Sequence, residues 1–172
     1  AVSPDGKSVV FVARAGGKRD SVVVAFGGGS VGDLAGFVAA TFLRGVAFVQ
    51  LPTTLLAQID AAIGGKTAID IAAGKNLVGA FHQPELVVAE STLLSTLPRA
   101  ELRSGLIEAI KMAALLDLDL LSRIERDLEP LLAGQPAALT PVVRSAVAAK
   151  IGVVERDPLE GGERQLLNYG HT

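Results

Sequence analysis

Polar side chains that could hold an anion are concentrated between apolar segments in the middle of the chain. Asp60, Lys66, Asp70, Lys75 and Asn76 all lie in the stretch IDAAIGGKTAIDIAAGKN. Each lysine follows a glycine, and glycine lets a phosphate or a polyol approach the backbone N–H groups closely. The stretch does not match the P-loop pattern, because Asp60 occupies the position of its first glycine. The residues indicate either a solvated loop or a binding loop for a phosphate or a sugar-like ligand.

A second polar group lies further along the chain. Glu108 and Lys111 are three residues apart and share a helix face. Their apolar neighbours leave two interpretations open, a surface ion pair or a pair turned into a cleft. His171 has no second histidine at helical spacing, so spacing alone does not predict a metal site. The polar series near the carboxyl end consists of Lys150, Arg164, Asn168 and His171.

The segment VVVAFGGGSVGDLAGF precedes both groups and is a candidate dinucleotide site. An apolar strand, Val22–Phe26, leads into Gly27, Gly29 and Gly32, which have the G-x-G-x-x-G spacing. Such glycines permit a tight turn and let a pyrophosphate reach the unpaired N–H groups where a helix starts. The acidic residue expected about 20 residues later is missing, because Leu51–Thr54 contains no carboxylate. Taken alone, the motif is equally typical of a dinucleotide site and of a glycine turn that only packs a strand against a helix.

The apolar pattern predicts an α/β nucleotide-binding portion with a parallel, Rossmann-like sheet. Strand Ser21–Phe26, helix Val31–Leu43 and strand Val46–Leu51 form a βαβ unit, which is almost always parallel and right-handed. Thr53 and Thr54 follow at the carboxyl edge, where ligands bind in open α/β sheets. A short helix, a loop-rich region and a third strand are then predicted at Leu55–Ile63, Gly64–Gly79 and Leu86–Ala89.

From Pro98 onward the pattern becomes that of an all-α portion. A break between helices is predicted near Asp117 and another at residues 134–136. We place a domain boundary between residues 97 and 98, so that 18–97 belong to the nucleotide-binding domain and 98–172 begin a helical metal- and substrate-binding domain. Helical periodicity covers three segments, Arg99–Leu116, Leu118–Leu132 and Ala137–Arg156.

Residues 1–17 form an unassigned lead-in. Asp5-Gly6 predicts a hairpin turn and Ser8–Ala13 a strand. The sequence begins with Ala1 and stops at Gly170-His171-Thr172, and we expect it to be a fragment of a longer protein.

Composition limits the classes of function. With 49% hydrophobic residues and a mean hydropathy of +0.44, the 172-residue chain can bury a sizeable aliphatic core. A net charge of −2 without a basic block argues against nucleic-acid binding. The lack of cysteine excludes disulfides and thiolate metal sites and fits a reducing cytoplasm. We expect neither a membrane-spanning segment nor a signal peptide, and hence a cytoplasmic protein without a membrane partner.

Five long segments occur in an order typical of one enzyme family: GGGSVGDLAGFVAATFLRG, QLPTTLLAQIDAAIGGKTAID, GKNLVGAFHQP, STLPRAELRSGLIEAIK and ERQLLNYGHT. They resemble the 3-dehydroquinate synthases, which are sugar-phosphate cyclases, and the resemblance extends from about Asp20 to Thr172. It implies a lyase of the shikimate pathway that uses NAD and zinc (or cobalt). Such enzymes convert 3-deoxy-D-arabino-heptulosonate 7-phosphate to 3-dehydroquinate and phosphate by oxidation, phosphate elimination, re-reduction and an aldol closure.

The resemblance also implies roles for individual residues. Arg44 resembles an arginine that reaches the active site of the partner subunit, which implies a homodimer. Glu108 and His171 resemble two of three metal ligands. The dinucleotide contacts correspond to Gly28, Gly29, Ser30, Asp33, Thr53, Thr54, Asp60, Lys75 and Thr96. The substrate-site residues correspond to Asp60, Lys66, Asn76, Lys111, Lys150, Arg164 and Asn168.

Some family features lie outside this sequence. The third metal ligand and a further catalytic histidine would follow the GHT segment, and we therefore expect the fragment alone to be inactive or nearly so. The alternatives are another sugar-phosphate cyclase of the 2-deoxy-scyllo-inosose or valiolone type, a metal-dependent polyol dehydrogenase, or a non-catalytic nucleotide-binding remnant. Lys150, Arg164 and Asn168 favour a substrate with a carboxylate. Glu108 and His171 are expected to converge across a groove from the glycine turn.

Overall fold

The chain forms two compact units, which we describe separately. The structure is a computed structural model that describes residues 21–170 and, for its backbone alone, residues 9–14. The sheet unit comprises Ala1–Thr53 and Gly65–Ala89, and the helical unit comprises Thr54–Gly64 and Glu90–Thr172. The hairpin turn predicted at Asp5-Gly6 lies outside the described residues.

The sheet unit contains the predicted βαβ arrangement. Strands β2 (Ser21–Gly27) and β3 (Ala47–Pro52) are parallel and are connected through helix α1 (Gly29–Thr41). Strand β6 (Leu86–Val87) pairs in parallel with β3, and β1 (Val9–Arg14) pairs antiparallel with β2. The sheet order is therefore β1-β2-β3-β6, which confirms the predicted parallel core and the strand near residues 8–13.

The loop-rich region predicted at Gly64–Gly79 is wrong for most of its length. A hairpin of β4 (Lys66–Ile71) and β5 (Gly74–Phe81) occupies this segment. The many small and charged residues concealed the strands, although Thr67, Ile69 and Ile71 alternate as strand residues do. The register shifts between Ile69 and Ile71, and the irregularity leaves the Asp70 carboxylate free to accept the Asn76 backbone N–H at 3.0 Å.

A small aliphatic core holds the sheet unit together. Ala35 and Ala39 are buried one helical turn apart on α1, and they allow the helix to approach the strands closely. Phe48 supplies the large buried side chain, and its ring stacks on His82 with centroids 5.4 Å apart. His82 Nε2 also lies 2.9 Å from the Val46 carbonyl oxygen, which attaches the segment after β5 to the start of β3.

The helical unit confirms the all-α prediction, since no strand occurs between residues 90 and 170. Asp117 ends the helix Arg99–Leu116 and caps the helix Leu118–Arg126, where its carboxylate accepts the N–H groups of Asp119 and Leu120 at 3.1 Å. The segment predicted as one helix at Leu118–Leu132 is interrupted at Asp127. The longer helices of the helical unit are α2 (Arg99–Leu116), α3 (Leu118–Arg126), α4 (Leu128–Leu132) and α5 (Pro136–Arg156). Shorter helical turns occur at Ala57–Ala61 (π) and at Ser91–Thr96 and Glu163–Asn168 (3₁₀).

Helix α5 is long and apolar enough to cross a membrane by length and composition, a test that the core helix of a soluble protein also passes. It carries Arg144 and Lys150, and its buried apolar residues pack in the core of the helical unit. That packing explains its hydropathy. The core is made of side chains from the short helix after β3 and from α2, α3, α4 and α5: Leu55, Ile59, Leu102, Leu106, Met112, Leu120, Ile124, Leu131, Leu139, Val142 and Ala146.

Candidate active site

An ion pair between a buried lysine and a partly buried aspartate joins two segments of the helical unit that lie far apart in sequence. Asp60 lies in the π turn at Ala57–Ala61, and Lys150 lies on α5 with only 5% of its surface exposed. The Lys150 Nζ donates a hydrogen bond to the Asp60 carbonyl oxygen at 2.6 Å and forms an ion pair with the Asp60 carboxylate. π turns frequently occur at functional sites. The pair therefore places two predicted site residues in one location.

Burial and the neighbouring carboxylates shift the pKa of Lys150 in opposite directions. Loss of solvent lowers the pKa of Lys150, and the nearby charge of Arg164 lowers it further. The carboxylates of Asp60 and Glu108 oppose this change. Asp60, Glu108 and Arg164 thus all lie close enough to Lys150 to influence its pKa. Together with Lys111, these four groups form what we call the charge cluster: Asp60, Glu108, Lys111, Lys150 and Arg164.

Glu108 and Lys111 pair within the helical unit. Lys111 Nζ lies 2.5 Å from Glu108 Oε1 and also donates to the Leu167 carbonyl oxygen at 2.5 Å. Each side chain is only 11% exposed, which excludes the surface ion pair among the two interpretations left open by the sequence. A buried carboxylate requires a cation or a metal to balance its charge, and here an ammonium group balances it.

Arg164 is buried to 2% exposure at the start of the last 3₁₀ turn. Its Nη1 donates to the Pro158 carbonyl oxygen at 2.7 Å, and its Nη2 donates to the Gly64 carbonyl oxygen at 3.0 Å. Position 64 requires glycine, because its φ is +100° and a Cβ would lie 2.2 Å from the guanidinium. Burial is the largest cause that lowers the pKa of Arg164.

Asn168 contacts a residue outside this cluster. Asn168 is exposed and donates from Nδ2 to Glu160 Oε1 at 2.7 Å. His171 lies outside the described residues, so its convergence with Glu108 remains a prediction. Among residues 21–170, no three His, Asp or Glu side chains form a group that could hold a metal ion.

The glycine turn of the sheet unit has the geometry that the dinucleotide motif requires. Gly28 caps α1 with extended backbone, and Gly29 begins the helix. A Cβ at Gly32 would lie 2.5 Å from Gln50 Oε1, so this glycine permits close packing of helix against strand. The Thr53 N–H donates to the Gly27 carbonyl oxygen at 2.9 Å and joins the carboxyl ends of β2 and β3. Ser30 is exposed and Asp33 half-buried on the first turns of the helix.

Two predicted cofactor contacts lie in the helical unit and form local hydrogen bonds with the backbone. Thr54 Oγ1 accepts the Ala57 N–H at 3.1 Å, and Thr96 Oγ1 donates to the Leu93 carbonyl oxygen at 3.2 Å. The structure accounts for both hydroxyl groups through local backbone contacts.

The hairpin β4–β5 presents its predicted site residues to solvent. Lys66, Lys75 and Asn76 are all exposed. Asn76 has a φ of +55°, a left-handed conformation that asparagine tolerates better than most residues. The left-handed backbone thus gives a structural reason for asparagine at position 76, in addition to the proposed functional reason.

Arg44 lies in a strained turn of the sheet unit. The side chain is exposed, and the backbone φ is +67° at Arg44 and +49° at Leu43. Two consecutive left-handed residues other than glycine are uncommon, and such strain is concentrated at functional sites. The turn ends at Gly45, whose φ is +116°.

The sequence analysis missed Asp157, which organises the loop that precedes Arg164. Its carboxylate accepts backbone N–H groups from Gly161, Gly162 and Arg164. The turn-forming sequence DPLEGGER was a signal for this loop, because aspartate and glycine favour such turns.

Comparisons with known proteins place this geometry in a family context. The family model described as 3-dehydroquinate synthase N-terminal matches residues 6–104, and the one described as 3-dehydroquinate synthase C-terminal matches residues 105–172. The first match begins earlier than Asp20, from which the resemblance was expected to extend. The chain is 56% identical over 154 residues to the 3-dehydroquinate synthase of Symbiobacterium thermophilum, which covers 90% of this chain and 43% of that protein.

Two solved structures are similar over most of the chain. One is the 2-epi-5-epi-valiolone synthase of Streptomyces hygroscopicus with NAD⁺ and Zn²⁺ bound, at 34% identity and a TM-score of 0.84, which covers 90% of this chain and 44% of that one. The other is a 2-deoxy-scyllo-inosose synthase with carbaglucose-6-phosphate, NAD⁺ and Co²⁺, at 33% identity and a TM-score of 0.84, which covers 90% and 42%. The chain thus spans less than half the length of the relatives it matches.

Proposed function

Because this chain belongs to the 3-dehydroquinate synthase family, we propose that the protein carrying it converts 3-deoxy-D-arabino-heptulosonate 7-phosphate to 3-dehydroquinate and phosphate. The observation that carries this proposal is the charge cluster. Its cations, Lys111, Lys150 and Arg164, are collected in one unit and are suited to the phosphate and carboxylate of such a substrate.

We propose that NAD binds at the glycine turn. The turn fits a pyrophosphate, because Gly28 and Gly29 carry no side chain at the start of α1 and Gly32 packs closely on the strand. Ser30 and Asp33 on the first turns would add polar contacts, and the remaining proposed contacts are Thr53, Thr54, Asp60, Lys75 and Thr96. When bound at this turn, NAD would supply reversible hydride transfer with the carbon that bears a substrate hydroxyl group. Both similar solved structures are described with NAD⁺.

A divalent metal, zinc or cobalt, is proposed to bind at Glu108 and His171. The buried Glu108 carboxylate is a suitable oxygen ligand. The described residues contribute this one ligand, and Glu108 is paired with Lys111.

The residues of the cluster would bind and orient the substrate. Arg164 is rigidly held and can present planar N–H groups to a carboxylate or phosphate. Lys150 can exchange part of its contact with Asp60 for a substrate anion, which releases the Asp60 carboxylate to accept a substrate hydroxyl. Asn168, Lys66 and Asn76 are proposed as further substrate contacts. Burial limits access of water to Lys150 and Arg164 and strengthens their interactions.

We further propose a homodimer in which Arg44 reaches the partner's site. The support is its exposed side chain on a strained turn, which presents a cation outward from the sheet unit.

A second candidate is a cyclase of the valiolone or 2-deoxy-scyllo-inosose type, because the two similar solved structures have those activities in their descriptions. The test is to supply the intact protein with NAD⁺, Zn²⁺ and 3-deoxy-D-arabino-heptulosonate 7-phosphate. We expect equal amounts of phosphate and 3-dehydroquinate and no net NADH. Net NADH would indicate a dehydrogenase, and a preference for glucose 6-phosphate, which has no carboxylate, would indicate another cyclase.

A further inference from the structure

We infer that Asp157 is a positioning residue for substrate binding: its carboxylate closes the loop at residues 157–164 and so holds the Arg164 guanidinium in place. The inference rests on the proposed function, in which Arg164 binds an anionic group of the substrate. None of the motifs that indicate the family includes Asp157.

The Asp157 carboxylate is the centre of the loop. Oδ1 accepts the Gly161 N–H at 2.9 Å, and Oδ2 accepts the N–H groups of Gly162 at 2.7 Å and Arg164 at 3.0 Å. These bonds lower the pKa of Asp157, with the Arg164 N–H as the largest cause. The carboxylate therefore remains ionised at neutral pH and binds three backbone donors at once.

The same loop fixes the Arg164 side chain. Nη1 donates to the carbonyl oxygen of Pro158, which is itself within the loop, and Nη2 donates to the carbonyl oxygen of Gly64. The backbone N–H of Arg164 is held by Asp157 at the same time. Both the backbone and one end of the guanidinium thus depend on a loop whose closure depends on Asp157.

A second ion pair spans the loop but is exposed. Arg156 Nε and Nη2 donate to the two Glu163 carboxylate oxygens at 2.8 and 2.6 Å. Their side chains are 59% and 40% exposed, so solvent screens the pair. Glu163 carries the same charge in the same loop as Asp157 and provides a matched control.

The test measures backbone exchange and kinetics in the intact protein with Asp157→Ala. We expect amide hydrogen exchange in the peptide covering 157–164 to accelerate about 10-fold or more, because three N–H groups lose their acceptor. We expect KM for the sugar phosphate to rise about 10-fold while kcat changes less than about 3-fold, because Arg164 is misplaced for binding.

Asp157→Asn keeps one acceptor oxygen and the size of the side chain, so it should fold and show smaller changes in the same direction. Glu163→Gln should change neither quantity. Unchanged exchange in both Asp157 variants, faster exchange without a rise in KM, or an equal effect of Glu163→Gln would overturn the inference. If the unsubstituted protein lacks activity, the proposed function fails instead, and the exchange rates alone decide whether Asp157 orders the loop.

Discussion

The charge cluster of the helical unit and the hairpin of the sheet unit carry residues with the same proposed task in opposite physical settings. In the cluster, Glu108, Lys150 and Arg164 are nearly inaccessible and each is bound to a partner group. On the hairpin, Lys66 and Asn76 are exposed.

The difference shows where function and stability are linked. A buried charge must be compensated, so the cluster residues support one another and loss of one leaves another uncompensated. An exposed charge is solvated by water and needs no partner. Substitutions in the cluster should therefore affect both folding and chemistry, whereas substitutions of exposed side chains on the hairpin should affect mainly chemistry unless they strain the backbone.

Asp60→Asn should have the largest effect, because it leaves the Lys150 ammonium buried without its carboxylate. We expect the free energy of unfolding to fall by about 3 kcal/mol at neutral pH and kcat/KM to fall about 100-fold. Urea unfolding and steady-state kinetics measure the two quantities. The exposed Glu129→Gln, which breaks a surface pair with Arg99, should cost less than about 0.5 kcal/mol. Equal losses in the two variants would remove the contrast between buried and exposed charges.

The pH dependence of stability should reveal Lys150 directly. Its pKa is lowered in the folded protein, chiefly by burial, so the unfolded chain binds more protons between that lowered pKa and the ordinary value of 10.5. The contribution of Lys150 to stability should therefore rise with pH across this window. The free energy of unfolding of the unsubstituted protein and of Lys150→Met is measured from pH 7 to 10.5, and the difference between the two proteins gives the contribution of Lys150. A difference that falls with pH would show that the ammonium form is favoured by folding.

Glu108→Gln should have an intermediate effect, because Lys111 keeps its bond to the Leu167 carbonyl oxygen when the carboxylate is lost. We expect a loss of about 2 kcal/mol in unfolding free energy and a weakening of Co²⁺ binding by at least about 10-fold. Spectroscopic Co²⁺ titration measures the second effect independently of activity. Glu101→Gln, an exposed residue on the same helix, is the control. Retained Co²⁺ affinity would exclude Glu108 as a ligand.

Asn76→Gly should have the smallest effect on stability, because glycine adopts a φ of +55° without strain. We expect a change within about 0.5 kcal/mol and a fall in kcat/KM of about 10-fold. Asn76→Ala, which removes the same side chain, should cost about 1 kcal/mol more from the left-handed backbone. If Asn76→Gly keeps full activity, asparagine is present only for the turn.

The sequence predicts elements whose signal is local. The βαβ unit and helix Arg99–Leu116 follow directly from apolar periodicity and from the break at Asp117. The hairpin was missed because glycine, alanine and lysine obscure its alternation. Contacts group Thr54–Gly64 with the helical unit, an arrangement that a single boundary along the chain cannot describe.

From the sequence, residues of the site could be predicted, but the contacts between them could not. Resemblance identified Asp60 and Lys150, but nothing local indicates that residues 90 positions apart form an ion pair. The role of Asp157 depends on three N–H groups that the fold brings together. Such contacts arise from tertiary structure, and neither periodicity nor motif spacing contains them.

The most direct test of the account is a double-mutant cycle of Asp60→Asn and Lys150→Met, measured by urea unfolding of the intact protein. If the two side chains form a mutually dependent buried pair, the double variant should be more stable than the sum of the single losses predicts, with a coupling energy of about 2 kcal/mol. Additive losses, within about 0.5 kcal/mol, would contradict the account.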